Sequence, residues 1–132
     1  MHDGDIAWMH QLAIKRYDLK KYDAVTTEVW FRNTVLKSPL LFYPARTERA
    51  FTITMISFLP WLPGEFEANV ILACADFDAN LDIIRLLRDS IEWSRRRRIT
   101  TWRICSDTVY DVASIARRVG ATEIAPRYCL RL

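Results

Sequence analysis

The stretch from Glu67 to Ser106 constrains the chain most. It joins an apolar run, Ala68-Asn69-Val70-Ile71-Leu72-Ala73-Cys74-Ala75, through a short acidic turn to a long amphipathic segment and a second short run, Trp102-Arg103-Ile104-Cys105. Such a run, bounded by turn residues and followed by helical periodicity, predicts strand, helix, strand with the two strands buried and parallel. A parallel pair needs a crossover. A right-handed one lays the helix Asn80 to Arg98 across one face of a mixed sheet in which Glu67 to Ala75 is central.

With 132 residues, 51% apolar and 27% charged, the chain suits one α/β domain, 1–132, with a sizeable core. Its apolar runs are too short to cross a bilayer, and Met1-His2-Asp3-Gly4-Asp5 lacks the basic flank and apolar core of a secretion signal. A soluble, cytoplasmic protein without membrane contact is the expectation. Cys74, Cys105 and Cys129 each fall in a predicted strand, without metal-ligand spacing, so buried reduced packing ranks ahead of a catalytic thiol and no metal is expected. The net charge of +3 is unevenly spread. Glu65, Glu67, Asp76, Asp78 and Asp82 face no Lys or Arg within 65–82, whereas from Trp93 onward nine arginines oppose three acids.

Before the sheet, Asp3 or Asp5 is placed to cap a helix through Ile6, Met9, His10, Ala13 and Ile14, with Lys15 and Arg16 on its polar side. His10 has no cysteine or carboxylate nearby to complete a metal set and reads as a surface or edge residue. Asp23 opens a second helical pattern, Val25, Val29, Trp30, Val35 and Leu36, that Ser38-Pro39 stops. Leu40 to Tyr43 and Ala50 to Leu59 then read as strands, the second alternating Phe51, Ile53 and Met55 against Thr52 and Thr54, with Pro44 to Arg49 as their connection.

In the loop Pro60 to Phe66, Trp61 and Phe66 are expected to fold back over a core edge in preference to forming an exposed recognition patch. The long helix uses Leu81, Ile84, Leu87 and Ile91, widened by Leu86 and Trp93, and ends in Arg95-Arg96-Arg97-Arg98. Those cations complement the helix dipole, and the solvated helix end ranks ahead of a nucleic-acid or phosphate patch. After the strand Thr101 to Ser106, Asp107 or Thr108 caps a last helix with Val109, Val112, Ala116 and Val119 on one face. Gly120 is its C′ residue, and Thr122 to Leu130 is a final strand interrupted by Pro126.

The order helix, helix, strand, strand, strand, helix, strand, helix, strand, ending in Val119-Gly120-Ala121, resembles the GNAT superfamily of acyl-CoA-dependent N-acetyltransferases. The resemblance covers Leu40 onward, with the usual first strand absent and the end short for the usual final strand pair. It is similar also to small GNAT-like proteins of tailed bacteriophages, some of them virion components.

In that family the motif Q/R-x-x-G-x-G/A lets backbone N–H groups at the start of the central helix cradle a pyrophosphate. Anchored on Leu86-Leu87, the motif falls on Asp78, Asn80, Leu81, Asp82 and Ile83, with Asp78 for the Gln or Arg and Leu81 and Ile83 for the glycines. The resemblance places the general-acid tyrosine at Ala116, its preceding leucine at Ile115, the asparagine at Val109 and the phenylalanine at Ala121. Tyr110 lies on the wrong turn to substitute. Glu67 stands where a general base is sometimes found, at a strand start where a carboxylate is ordinarily a solvated edge residue.

Asp76, Asp78 and Asp82 are expected to repel a pyrophosphate, by about 1 kcal/mol per charge pair at about 4 Å in water and about 4 kcal/mol near a protein surface. Asp78 then reads as the helix N-cap and Asp82 as a first-turn acid against the dipole. The reading that follows is a GNAT-like fold with a degenerate acyl-CoA site, acting as a non-catalytic binding or structural protein, such as a phage accessory or virion component in the host cytoplasm or virion. Its contact surface would be Arg95 to Arg98 or Trp61, toward a protein partner, a second copy or nucleic acid. The alternative is a divergent N-acetyltransferase that binds acetyl-CoA and modifies an amine of a protein or small molecule.

Overall fold

The computed structural model describes residues 2–16, 22–58, 61–104, 112–123 and 130. Helix α1 (Asp3–Arg16) and helix α2 (Ala24–Trp30), continued by a π-helical turn Phe31–Val35, precede strands β1 (Phe42–Arg46), β2 (Ala50–Phe58) and β3 (Phe66–Ala75). Helix α3 (Asn80–Arg96), strand β4 (Thr101–Ile104) and helix α4 (Val112–Arg118) follow. The sheet order is β1-β2-β3-β4, with β3 antiparallel to β2 and parallel to β4, as the apolar pattern predicts. The predicted continuation of β4 through Cys105 and Ser106, the caps Asp107 and Thr108, and most of the last strand including Pro126 and Cys129 lie outside the described residues.

Period-2 alternation gives the sheet two apolar faces. Phe51, Ile53 and Cys74 pack with Ile6, Met9, Leu12 and Ala13 of α1 and with Phe31 and Val35. Ala50, Val70 and Ala73 pack with Ile83, Ile84, Leu86 and Leu87 of α3 and Ile115 of α4. Cys74 is buried, and its loss of solvation pushes the thiol up to about 11, which suits inert packing.

Local chemistry explains the departures from the sequence pattern. The Asp23 carboxylate accepts from the Thr26 N–H as expected, yet α2 buries none of its residues, and Val25 and Val29 are exposed. The Leu36 N–H bonds to the Phe31 carbonyl, an i→i+5 step, and this wider turn puts Phe31 and Val35 on the sheet. On α1, Leu12 takes the core position and Ile14 is exposed. Strand β1 begins at Phe42 and runs through Pro44, opposite Ile53. An edge strand tolerates the missing N–H, so the connection shortens to 47–49. Leu81, expected on the buried face of α3, is 69% exposed, while Ile83 is fully buried.

Candidate functional site

The bulge in β3 sets the geometry beneath the start of α3. Ile53 pairs with Leu72 but Thr54 pairs with Val70, so Ile71 is an extra residue. Ile71 and Leu72 consequently both pack on the α1 face, and a bulge of this kind bends its strand. Among the described residues the β3–β4 ladder pairs Glu67↔Thr101 through Val70↔Ile104, up to the bulge. Beyond it β3 continues to Ala75 and turns into α3. In that turn the Ala79 N–H bonds to the Asp76 carbonyl, and Asp78 adopts φ 60°, a left-handed conformation that Asp tolerates better than most residues.

Ala79, not Asp78, is the N-cap of α3, and no side chain caps the helix. The expected Asp78 cap fails because its left-handed backbone is not the extended conformation a capping residue adopts. The first-turn amides of Asn80, Leu81 and Asp82 therefore end the helix without a side-chain acceptor from the cap position.

Two of the three acids of this turn are already engaged. Asp76 accepts from Lys15 at 2.7 Å and from the Phe77 N–H at 2.8 Å, and Asp82 accepts from the Thr47 hydroxyl at 2.7 Å. The Arg16 guanidinium lies 4.3 Å from the Phe77 ring centre, and Arg49 donates to the Phe77 carbonyl. Lys15, Arg16 and Arg49 thus surround the turn that the sequence shows as purely acidic, and the expected repulsion of an anion is offset by three cations. No local pattern marks this, since Lys15 and Asp76 lie 61 residues apart.

The Lys15 hydrogen bond, aided by the Phe77 N–H, holds the Asp76 carboxyl below its ordinary range. A depressed folded value means this stability is fully present above the unfolded value of about 3.9 and fades as pH falls through the folded one. Thermal melts from pH 7 to 3 are therefore expected to decline less steeply in Asp76→Asn than in the parent below about pH 4. Parallel curves would remove Asp76 from the acid limb.

The remaining positions separate. Ile83 belongs to the core against β3, Ile115 is buried, and Ala116 is partly buried. Val109 and Tyr110 lie outside the described residues. Glu67 is not a solvated edge carboxylate: it pairs with Arg103 at 3.0 Å with its side chain 17% exposed. Next to the same turn, Arg46, Arg49, Arg85, Glu48, Asp82 and Asp89 line a cleft of about 480 Å³. Arg46 is held there by Asp5 at 2.7 Å and by stacking 3.6 Å over Trp8.

The basic run and the loop aromatics lie at the other end of the sheet. Arg95 approaches Glu92 at 3.9 Å, and Arg97 sits 4.5 Å over Trp93 and donates to the Pro39 carbonyl. Arg98 occupies the C′ position at φ 61°, with the Ile99 N–H bonded to the Ser94 carbonyl. Trp61 is 73% and Phe66 46% exposed. This overturns their expected folding over a core edge: Phe66 lies beside Phe58, and Trp61 stands out toward solvent.

No model of a known protein family and no curated protein sequence matches the chain. Solved structures do. A probable acetyltransferase superposes with TM-score 0.72 at 14% identity over all of this chain and 95% of its own. A Trypanosoma brucei acetyltransferase gives 0.74 at 11% over 100% and 96%. The fold is that of the N-acetyltransferases. An aminoglycoside 6′-N-acetyltransferase from Acinetobacter haemolyticus agrees, at 0.70 and 10% identity over 100% and 94%. In this N-acetyltransferase fold β3 carries its bulge at Ile71 and leads into the uncapped start of α3. Among the described residues no cluster of His, Cys, Asp or Glu could hold a metal, and no helix is long and apolar enough to cross a membrane.

Proposed function

We propose that the protein uses the N-acetyltransferase fold as a binding or structural scaffold with a degenerate acyl-CoA site, a role of the kind implied by the resemblance to phage accessory and virion proteins of the cytoplasm or virion. The observation that carries this reading is the pair Leu81 and Ile83. An exposed isobutyl group and a core side chain stand where a pyrophosphate would need bare backbone, and Ile83 is 0% exposed. Ala116 offers no proton to a departing thiolate, and Glu67 is committed to Arg103.

A second reading, a divergent acetyl-CoA-dependent N-acetyltransferase, is favoured by the uncapped α3 N-terminus and its ring of Lys15, Arg16 and Arg49. Acetyl-CoA separates the two. At about 100 times its Kd a ligand adds about 2.7 kcal/mol of stability, several degrees in Tm. Millimolar acetyl-CoA is expected to leave Tm unchanged and to give no acetylation of added amines. A saturable shift with label transfer would establish the enzyme. Leu81→Gly gaining affinity would show that sterics close the site, and Asp78→Asn gaining it would show that charge does.

A further inference from the structure

One end of the sheet is apolar and cationic at once. Leu40, Leu41, Phe58, Trp61, Leu62 and Phe66 are each 46–73% exposed. Strand directions bring them together: β1 starts there, β2 ends there and β3 starts there. The Ile56 N–H bonds to the Leu41 carbonyl, the Phe58 and Phe66 ring centres are 6.2 Å apart, and the Glu65 N–H closes a turn on the Leu62 carbonyl. Helix α3 delivers its C-terminal arginines to the same end, where Arg97 donates to the Pro39 carbonyl beside Leu40. The sequence suggested two separate surfaces, and the fold joins them.

We propose that this end of the sheet is a docking surface for an acidic, apolar segment of a partner protein. Monomeric proteins rarely leave contiguous apolar patches of more than about a few hundred Å² exposed, and patches rimmed by charge mark interaction sites. Trp61 is the central anchor, since exposed tryptophan and arginine are the side chains that dominate binding energy once buried.

The arginine rim selects the occupant. A second copy docking through a two-fold axis would set each Arg95–Arg98 run near its own image, and like charges oppose that. Single-stranded nucleic acid stacks on aromatic rings but gains nothing from Leu40, Leu41 and Leu62. An acidic segment with apolar side chains satisfies both halves of the surface. It lies at the opposite end of β3 from the α3 N-terminus, so the proposal stands whether or not acetyl-CoA binds.

The test uses a fluorescein-labelled amphipathic helical peptide of leucine, tryptophan and glutamate, titrated against the full chain. Saturable binding is expected, weakened about tenfold between about 50 and about 300 mM salt. Trp61→Ala and the double variant Arg95→Gln/Arg96→Gln should each weaken it at least about fivefold with unchanged circular dichroism, since all three side chains are exposed. Val25→Ser, on the outer face of α2, should bind as the parent does. Equal affinity for the same peptide with lysine in place of glutamate, or no effect of Trp61→Ala, would overturn the proposal. Tighter binding of oligothymidylate or of phosphatidylserine vesicles would overturn it in favour of nucleic acid or lipid, and a concentration-dependent dimer lost in Trp61→Ala would do so in favour of self-association.

Discussion

Ile83→Gly is expected to destabilise the protein by about 3–6 kcal/mol, the sum of a buried Ile truncation of about 2–5 and a glycine in a helix interior of about 1. Leu81→Gly, two residues away, should cost only the helix term of about 1 kcal/mol, because its side chain is 69% exposed. The pair thus divides the degenerate motif into one position fixed by the core and one that is not. Urea unfolding midpoints measure both. If Ile83→Gly costs less than about 1.5 kcal/mol, the site could collapse around the lost side chain, and the bulk at 83 would be an incidental feature of the site. If the expected gap is found, restoring a glycine at 83 costs the core contacts that seat α3 on β3, whereas restoring one at 81 does not.

The sheet was legible because its signals are local and redundant. Val70, Ala73 and Cys74 belong to a run too apolar for a solvated strand, and the helix after it fixes the parallel pairing. Phe51, Ile53 and Met55 carry an alternation that any half-buried strand shows, and their partners across β3 follow from it. Gly120 ends α4 as its position implies, with the Ala121 N–H on the Ala116 carbonyl. The π-helical turn was not legible. Val25 and Val29 show the α-helical spacing of a buried face, and only the wider turn at Phe31–Val35, chosen by packing, gives that face to solvent.

The site resisted the sequence for a different reason. Three carboxylates within seven residues look like a repulsive cluster, yet Lys15, Thr47 and Arg49 come from α1 and the β1–β2 turn to meet that segment. Charge read along a chain omits what the fold brings alongside it, and here the omitted cations offset the repulsion on which the argument rested. The Glu67–Arg103 pair is hidden likewise, because it depends on the parallel register Glu67↔Thr101. What survives is the steric part of the reading, since the bulk of Leu81 and Ile83 does not depend on what lies opposite.

Ser90→Ala should cost about 3 kcal/mol, a large effect for the loss of one oxygen. Ser90 is fully buried on α3, where its hydroxyl meets the Thr54 hydroxyl of β2 at 2.6 Å and accepts from the Trp102 indole N–H of β4 at 3.0 Å. One atom therefore links the crossover helix to both strands that flank β3, beside the four ladder pairs that the described part of β4 makes. Removing it strands two polar groups, each costing about 1–3 kcal/mol when buried without a partner, the indole less because Trp102 is only partly buried. The double variant Ser90→Ala/Thr54→Val should recover at least about 1 kcal/mol relative to Ser90→Ala, since two apolar groups in contact leave no orphaned hydroxyl there. Denaturant melts of the four proteins close the cycle. A cost for Ser90→Ala below about 0.5 kcal/mol, or strict additivity in the double variant, would show that the node does not act as a unit and that β4 is held by its backbone ladder, its packed Trp102 and Ile104 side chains and the Arg103–Glu67 pair.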